Sequence, residues 1–102
     1  MSKPKDKWWG YVKNMIRSYP YIKGKPVQGV LLKEREAVEA ALEETGKLLD
    51  GEERLKVVDL VFFRKTNTLE GAALAVPCSD RTARRWHADF IRCVARKYGL
   101  IE

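Results

Sequence analysis

Thr68-Leu69-Glu70-Gly71-Ala72-Ala73-Leu74-Ala75-Val76-Pro77-Cys78-Ser79-Asp80-Arg81-Thr82-Ala83-Arg84-Arg85-Trp86 is the stretch on which the fold turns. Thr68 is a residue type that caps a helix by accepting from the free N–H groups of its first turn, and an alanine-rich run follows it. Pro77 cannot donate a helical hydrogen bond, so the first helix is expected to stop there. Ser79 then offers a second cap, ahead of a helix that begins at Asp80. Two helices joined by about three residues make a helix-turn-helix unit. The small side chains of Ala73 and Ala83 suit the close approach of the two helices, and Leu69 and Val76 are expected to face inward beside them.

The second of these helices divides cleanly around its axis. At roughly 100° per residue, Ala83, Trp86, Phe90, Val94 and Tyr98 fall on one side. Arg81, Arg85, Ala88 and Arg92 fall on the other, with Arg84 on the flank. A recognition helix needs this division, because its apolar back holds it to the domain while residues near its N-terminus enter the major groove. Arginine serves both tasks there, pairing bidentately with guanine or gripping phosphate. Arg81, Arg84 and Arg85 are therefore the expected contacts to bases and phosphates, supported on the backbone by Thr82 and Arg92. Asp80 can buttress an arginine or accept from cytosine. Lys65, Thr68 and Ser79 are placed to hold phosphates near the helix ends.

Outward from this unit, charge is distributed unevenly. The chain has 102 residues with 20 Lys and Arg against 14 Asp and Glu, a net charge of +6. Residues 1–31 carry +6, residues 32–63 carry −4 and residues 64–102 carry +4. Two basic segments around an acidic scaffold are what a nucleic-acid reader shows. The length suits one domain and excludes a cofactor-binding domain joined to a catalytic one. No apolar run approaches the ~18 residues of a membrane span. The basic opening lacks the apolar stretch of a secretory signal, and two cysteines without a CxxC pair suggest neither a disulfide framework nor zinc. A cytoplasmic protein without membrane attachment is expected.

The remainder also reads as helical. Asp6 caps a first helix in which Trp8, Tyr11 or Val12, Met15 and Tyr19 recur at amphipathic spacing, and Pro20 is expected to stop it. Tyr21 to Gly29 reads as a basic loop. A second helix is expected over about Lys33 to Leu49, with Val38, Ala41, Leu42, Thr45, Leu48 and Leu49 on one face. After an Asp50-Gly51 turn, Glu52 and Glu53 open a third helix that carries Leu55, Val57, Val58, Val61, Phe62 and Phe63. The fold class is all-α, with about five helices and a long recognition helix in a terminal helix-turn-helix. The whole of 1–102 forms a single domain: a basic helix and loop at 1–31, a helical scaffold at 32–66 and the helix-turn-helix at 67–102.

The stretches Thr68-Leu69-Glu70-Gly71-Ala72-Ala73 and Ser79-Asp80-Arg81-Thr82-Ala83-Arg84-Arg85-Trp86-His87 resemble region 4 of sigma-70-type factors. With its Trp8-Trp9-Gly10-Tyr11-Val12 opening, the chain is similar to small phage and prophage regulators of the ArpU/RinA type. The resemblance covers about residues 52–98, and the opening loosely. It departs at Pro77, where many such turns have glycine, and at Ala83, where a larger residue is frequent. It implies activation of phage transcription through promoter DNA, with double-stranded DNA as partner and RNA polymerase or a second copy of the chain as further candidates. A small-terminase-like DNA-packaging protein, or an RNA polymerase-binding adaptor that does not read DNA, are the alternatives.

Other residues invite chemistry and are better read as structure. His87 with Cys78 and Cys93 suggests a metal site, but the helical spacing puts His87 at the edge of the apolar stripe. The glutamates of the middle helix lack a nucleophile or base beside them, so no catalytic function is expected. Trp8, Trp9, Tyr11, Tyr19 and Tyr21 among lysines can stack on single-stranded bases. Their spacing fits core packing better.

Overall fold

The tryptophan-rich opening forms helix α1. In a computed structural model that describes residues 7–63, 69–76 and 78–101, α1 runs over Lys7–Ile22. Its inward stripe is Val12, Met15, Ile16 and Tyr19, all buried at the three- and four-residue spacings of one helical face. The sequence places the end of this helix at Pro20, and the structure corrects that. Pro20 lies inside α1. A proline in the last turn forfeits only the one bond its missing N–H would have made, and the Lys23 N–H still donates to the Tyr19 carbonyl at 2.9 Å. The turn away from the helix comes at Gly24, whose φ of 75° lies in the left-handed region that glycine adopts without strain. Asp6, the expected cap, lies outside the described residues, as do Lys65, Thr68 and Pro77.

Helix α2 spans Val30–Gly46, three residues earlier at each end than its expected bounds. Ala37, Val38, Ala41 and Thr45 are buried, and Glu36, Glu39, Glu43 and Glu44 are exposed. Leu48 and Leu49 fall beyond its end and do not join its apolar face; Leu49 is 99% exposed. Arg35 ties the preceding loop to the helix, its Nη1 donating to the Lys25 carbonyl at 2.6 Å.

Helix α3, Gly51–Val58, has Glu52 and Glu53 in its first turn, where acidic groups offset the helix dipole. It continues into a π-helical turn, Asp59–Phe63. Val57, Val58 and Phe62 are buried; Leu55, Leu60, Val61 and Phe63 are half-buried. The apolar run Val57 to Phe63, which β-propensity also favours, is thus helical throughout. Helices α4, Leu69–Ala75, and α5, Asp80–Tyr98, complete the described chain. The protein is all-α, with five α-helices and no strand among the described residues.

The core is built in two clusters. The larger joins α1, α2, the π-helical turn and α5 through residues such as Val12, Ile16, Val38, Phe62, Phe90 and Val94. The smaller sets Val57 of α3 and Ala72 and Val76 of the α4 end against Trp86 of α5. Helix α5 therefore lines both clusters, and its position decides where the others dock. No helix among the described residues is long and apolar enough to cross a membrane.

One backbone junction leaves no room for a side chain. A Cβ on buried Gly51 would lie 2.7 Å from the Gly46 carbonyl carbon and 2.9 Å from the Thr45 carbonyl oxygen, and closer still to the Gly46 oxygen. The start of α3 can then pack on the end of α2 only if residue 51 is glycine. Gly51→Ala is expected to destabilise the fold by about 1–3 kcal/mol through this overpacking, read as a lower urea midpoint. An unchanged midpoint would show that the junction yields.

Candidate nucleic-acid interface

Helices α4 and α5 meet through small residues. Ala72, Ala73 and Val76 on one side and Ala83 and Trp86 on the other are all buried. The Leu69 side chain lies outside the described residues. The Ser79 cap forms as its residue type demands: its Oγ accepts from the Thr82 N–H at 3.1 Å and donates to Thr82 Oγ1 at 2.9 Å. Asp80 follows in the first turn, exposed, on the favourable end of the dipole. At the other end Gly99, at φ 97°, lets the Leu100 N–H reach back to the Ala95 carbonyl at 2.9 Å.

The arginines fall where helical geometry assigns them. Arg81, Arg84, Arg85 and Arg92 are exposed, opposite the buried Ala83, Trp86, Phe90 and Val94. Arg81 and Arg85 stand one turn apart, roughly 6 Å along the axis. Neither has an ion pair or hydrogen bond among the described residues. Arg92 differs: its Nη1 lies 3.8 Å from Asp89 Oδ1 and its guanidinium lies 5.8 Å from the Trp9 ring centroid. The structure thus gathers Ser79 to Arg85 at one end of α5, and sets Arg92 two turns away against α1. The hydroxyls of Ser79 and Thr82 are bonded to each other, so they build the helix start as well as facing outward.

Sequence reading did not find Arg54. From α3 it reaches α5, with Nη1 at 3.4 Å from Asp89 Oδ2 and its guanidinium 5.6 Å from the Trp86 ring centroid. The partners are 35 residues apart in sequence. Only the i,i+3 spacing of Asp89 and Arg92 gave any local sign that Asp89 is a paired carboxylate. Beside this pairing lies a cleft of about 240 Å³ between α2, α3 and α5. Trp86, Phe90 and Cys93 line it, and Arg54, Arg92 and Arg96 edge it together with Glu44 and Asp89. Arg54 Nε and Trp86 Nε1 are buried with no hydrogen-bond partner among the described residues. Each such donor costs about 1–3 kcal/mol.

At the far end of the cleft, Lys97 Nζ sits 2.8 Å from Glu44 Oε1, and the Cys93 thiol donates to Glu44 Oε2 at 3.3 Å. The Lys97 bond, then the thiol, holds the Glu44 carboxyl below its ordinary range. Its contribution to stability is therefore present above the unfolded carboxyl's pKa and fades as pH falls through the lowered folded value. Burial, with Glu44 second, pushes the Cys93 thiol up to about 11. That contribution is full below the unfolded thiol pKa and is lost as pH rises through about 11. Burial and then Asp80 also raise half-buried Cys78. With the thiolate as the reactive species, iodoacetamide at pH 8 is expected to label Cys78 well before Cys93. Peptide mass mapping reads the order, and equal rates would show that Cys93 is not held as described.

The remaining sequence candidates take structural places. His87 stacks on Phe62, with centroids 4.9 Å apart and planes 8° from parallel, at the edge of the core. Among the described residues no group of His, Cys, Asp and Glu is arranged to hold a metal. Tyr11 donates to Glu34 and accepts from the Tyr98 hydroxyl at 3.1 Å, and Tyr19 donates to Glu39 at 3.0 Å. Burial and then the Glu39 bond raise the Tyr19 phenol to about 12. These aromatics pin α1 to α2 and α5. Tyr21 stays 65% exposed. No protein-family model, curated protein or solved structure matches this chain at a significant level.

Proposed function

We propose that the protein is a sequence-specific, double-stranded DNA-binding regulator of transcription, of the phage or prophage kind that the sigma region 4-like and ArpU/RinA-like resemblance implies. Helices α4 and α5 act as its helix-turn-helix, and α5 is the recognition helix. The observation that carries this reading is the N-terminal end of α5. A serine-capped start presents Arg81 and Arg85 outward without an ion pair or hydrogen bond among the described residues, while Ala83 and Trp86 hold the same turns against the domain. Exposed guanidiniums one turn apart match the fork geometry that recognises guanine edges and phosphates. Arg84 adds charge on the flank, and the helix start favours a nearby phosphate.

Selection of bound duplexes from a random pool tests this directly. Enrichment of a defined motif is the expected result, and recovery of unselected sequence at every salt concentration would remove sequence-specific reading. An adaptor that binds RNA polymerase is the second reading, favoured by Leu74, which stands 87% exposed on α4. It predicts binding to polymerase without an enriched motif.

A further inference from the structure

The cleft between α2, α3 and α5 is not needed to present Arg81 and Arg85, and its composition points to a ligand of its own. Its carboxylates are already matched: Glu44 by Lys97 at 2.8 Å, and Asp89 by Arg54 at 3.4 Å and Arg92 at 3.8 Å. Arg96 is exposed at the rim and makes no ion pair or hydrogen bond among the described residues; its charge acts on Glu44 only behind the Lys97 and Cys93 bonds. Below the rim, aromatic side chains lie beside Thr45, Leu48 and Cys93. These are Trp86, 6% exposed, and Phe90, 2% exposed. An arginine rim beside aromatic side chains is what an anion with an apolar body would satisfy.

We propose that this cleft binds a small organic carboxylate, with its carboxyl group toward Arg96 and Arg92 and its apolar part against Trp86 and Phe90. At about 240 Å³ the space is below the roughly 300–1,000 Å³ of sites for drug-sized ligands, so the ligand is of single-ring size. Carboxylate is favoured over a bare oxyanion because its planar group matches a guanidinium fork while the rest of the molecule covers the floor. The inference stands apart from the DNA-binding reading and does not require it.

Benzoate is a suitable probe. The Trp86 indole N–H resonance, identified as the one missing from a Trp86→Phe variant, is expected to shift saturably as benzoate is added. Arg96→Gln should weaken the titration roughly tenfold, and Lys25→Gln, remote from the cleft, should leave it unchanged. Benzyl alcohol, of the same shape without the charge, and inorganic phosphate, with charge but no apolar body, should each move the resonance far less. The proposal is overturned if benzoate produces no saturable shift, if either control ligand matches it, or if the Arg96 variant titrates like the parent.

Discussion

Replacing Trp86 with alanine is expected to lower the free energy of unfolding by about 3–5 kcal/mol. The indole is 6% exposed and is the largest member of the smaller core cluster, facing Val57, Ala72 and Val76. Helix α4 has seven residues, too few to persist alone, and among the described residues its buried side chains are Ala72 and Ala73, with Val76 just past its end. The Trp86 ring is the large partner that Ala72 and Val76 pack against. Arg54 lies over that ring, so the truncation also strips a neighbour from the α3–α5 contact. One opposing effect is present: the buried Nε1 has no acceptor among the described residues, and deleting it relieves part of the loss. Trp86→Phe keeps most of the packing and removes the unpaired donor, so its cost should fall well short of the alanine value. Urea denaturation followed by far-ultraviolet circular dichroism gives both numbers. An alanine variant with the parent's midpoint would show that α4 is held by something other than this ring.

Helix α5 was the most legible element, because every signal for it is local. The Ser79 cap, the four-residue recurrence of Trp86, Phe90 and Val94, and the arginines opposite them all lie within about five turns of one helix. Ala83, Trp86, Phe90 and Val94 are buried and Arg81, Arg85 and Arg92 exposed as the spacing assigns, while Ile91, Cys93 and Ala95 widen the buried face and Ala88 is half-buried. Boundaries set by one residue's backbone were less legible. Pro20 reads as a stop, yet in a last turn it removes a single bond, and the decisive residue is Gly24 with its positive φ. Leu48 and Leu49 continue the apolar recurrence of α2 although the chain has already turned at Gly46, since periodicity does not register where a helix ends. What stayed hidden was everything made by docking. Arg54 meeting Asp89, Cys93 and Lys97 meeting Glu44, and the cleft among them depend on how α2 and α3 sit on α5. No spacing within one segment encodes that.

The arginines that α5 leaves outward are where the DNA-binding reading carries its largest consequence. On that reading, substituting Arg81 and Arg85 together by alanine should cost roughly 2–6 kcal/mol in binding a selected duplex, about 1–3 for each contact. Folding should be untouched, because neither side chain has a protein partner to lose among the described residues. Stability should even rise by a few tenths of a kcal/mol, since like charges at i,i+4 repel by about that amount. The slope of affinity against salt concentration should also become shallower wherever either arginine releases a phosphate counterion. Arg92→Ala provides the contrast. Its guanidinium is engaged with Asp89 and Trp9, so its removal should loosen the α1–α5 contact measurably while weakening DNA binding less than the double change does. Anisotropy titrations paired with thermal melts separate the two patterns. If the double variant binds the selected duplex as tightly as the parent, α5 is not the helix that reads DNA.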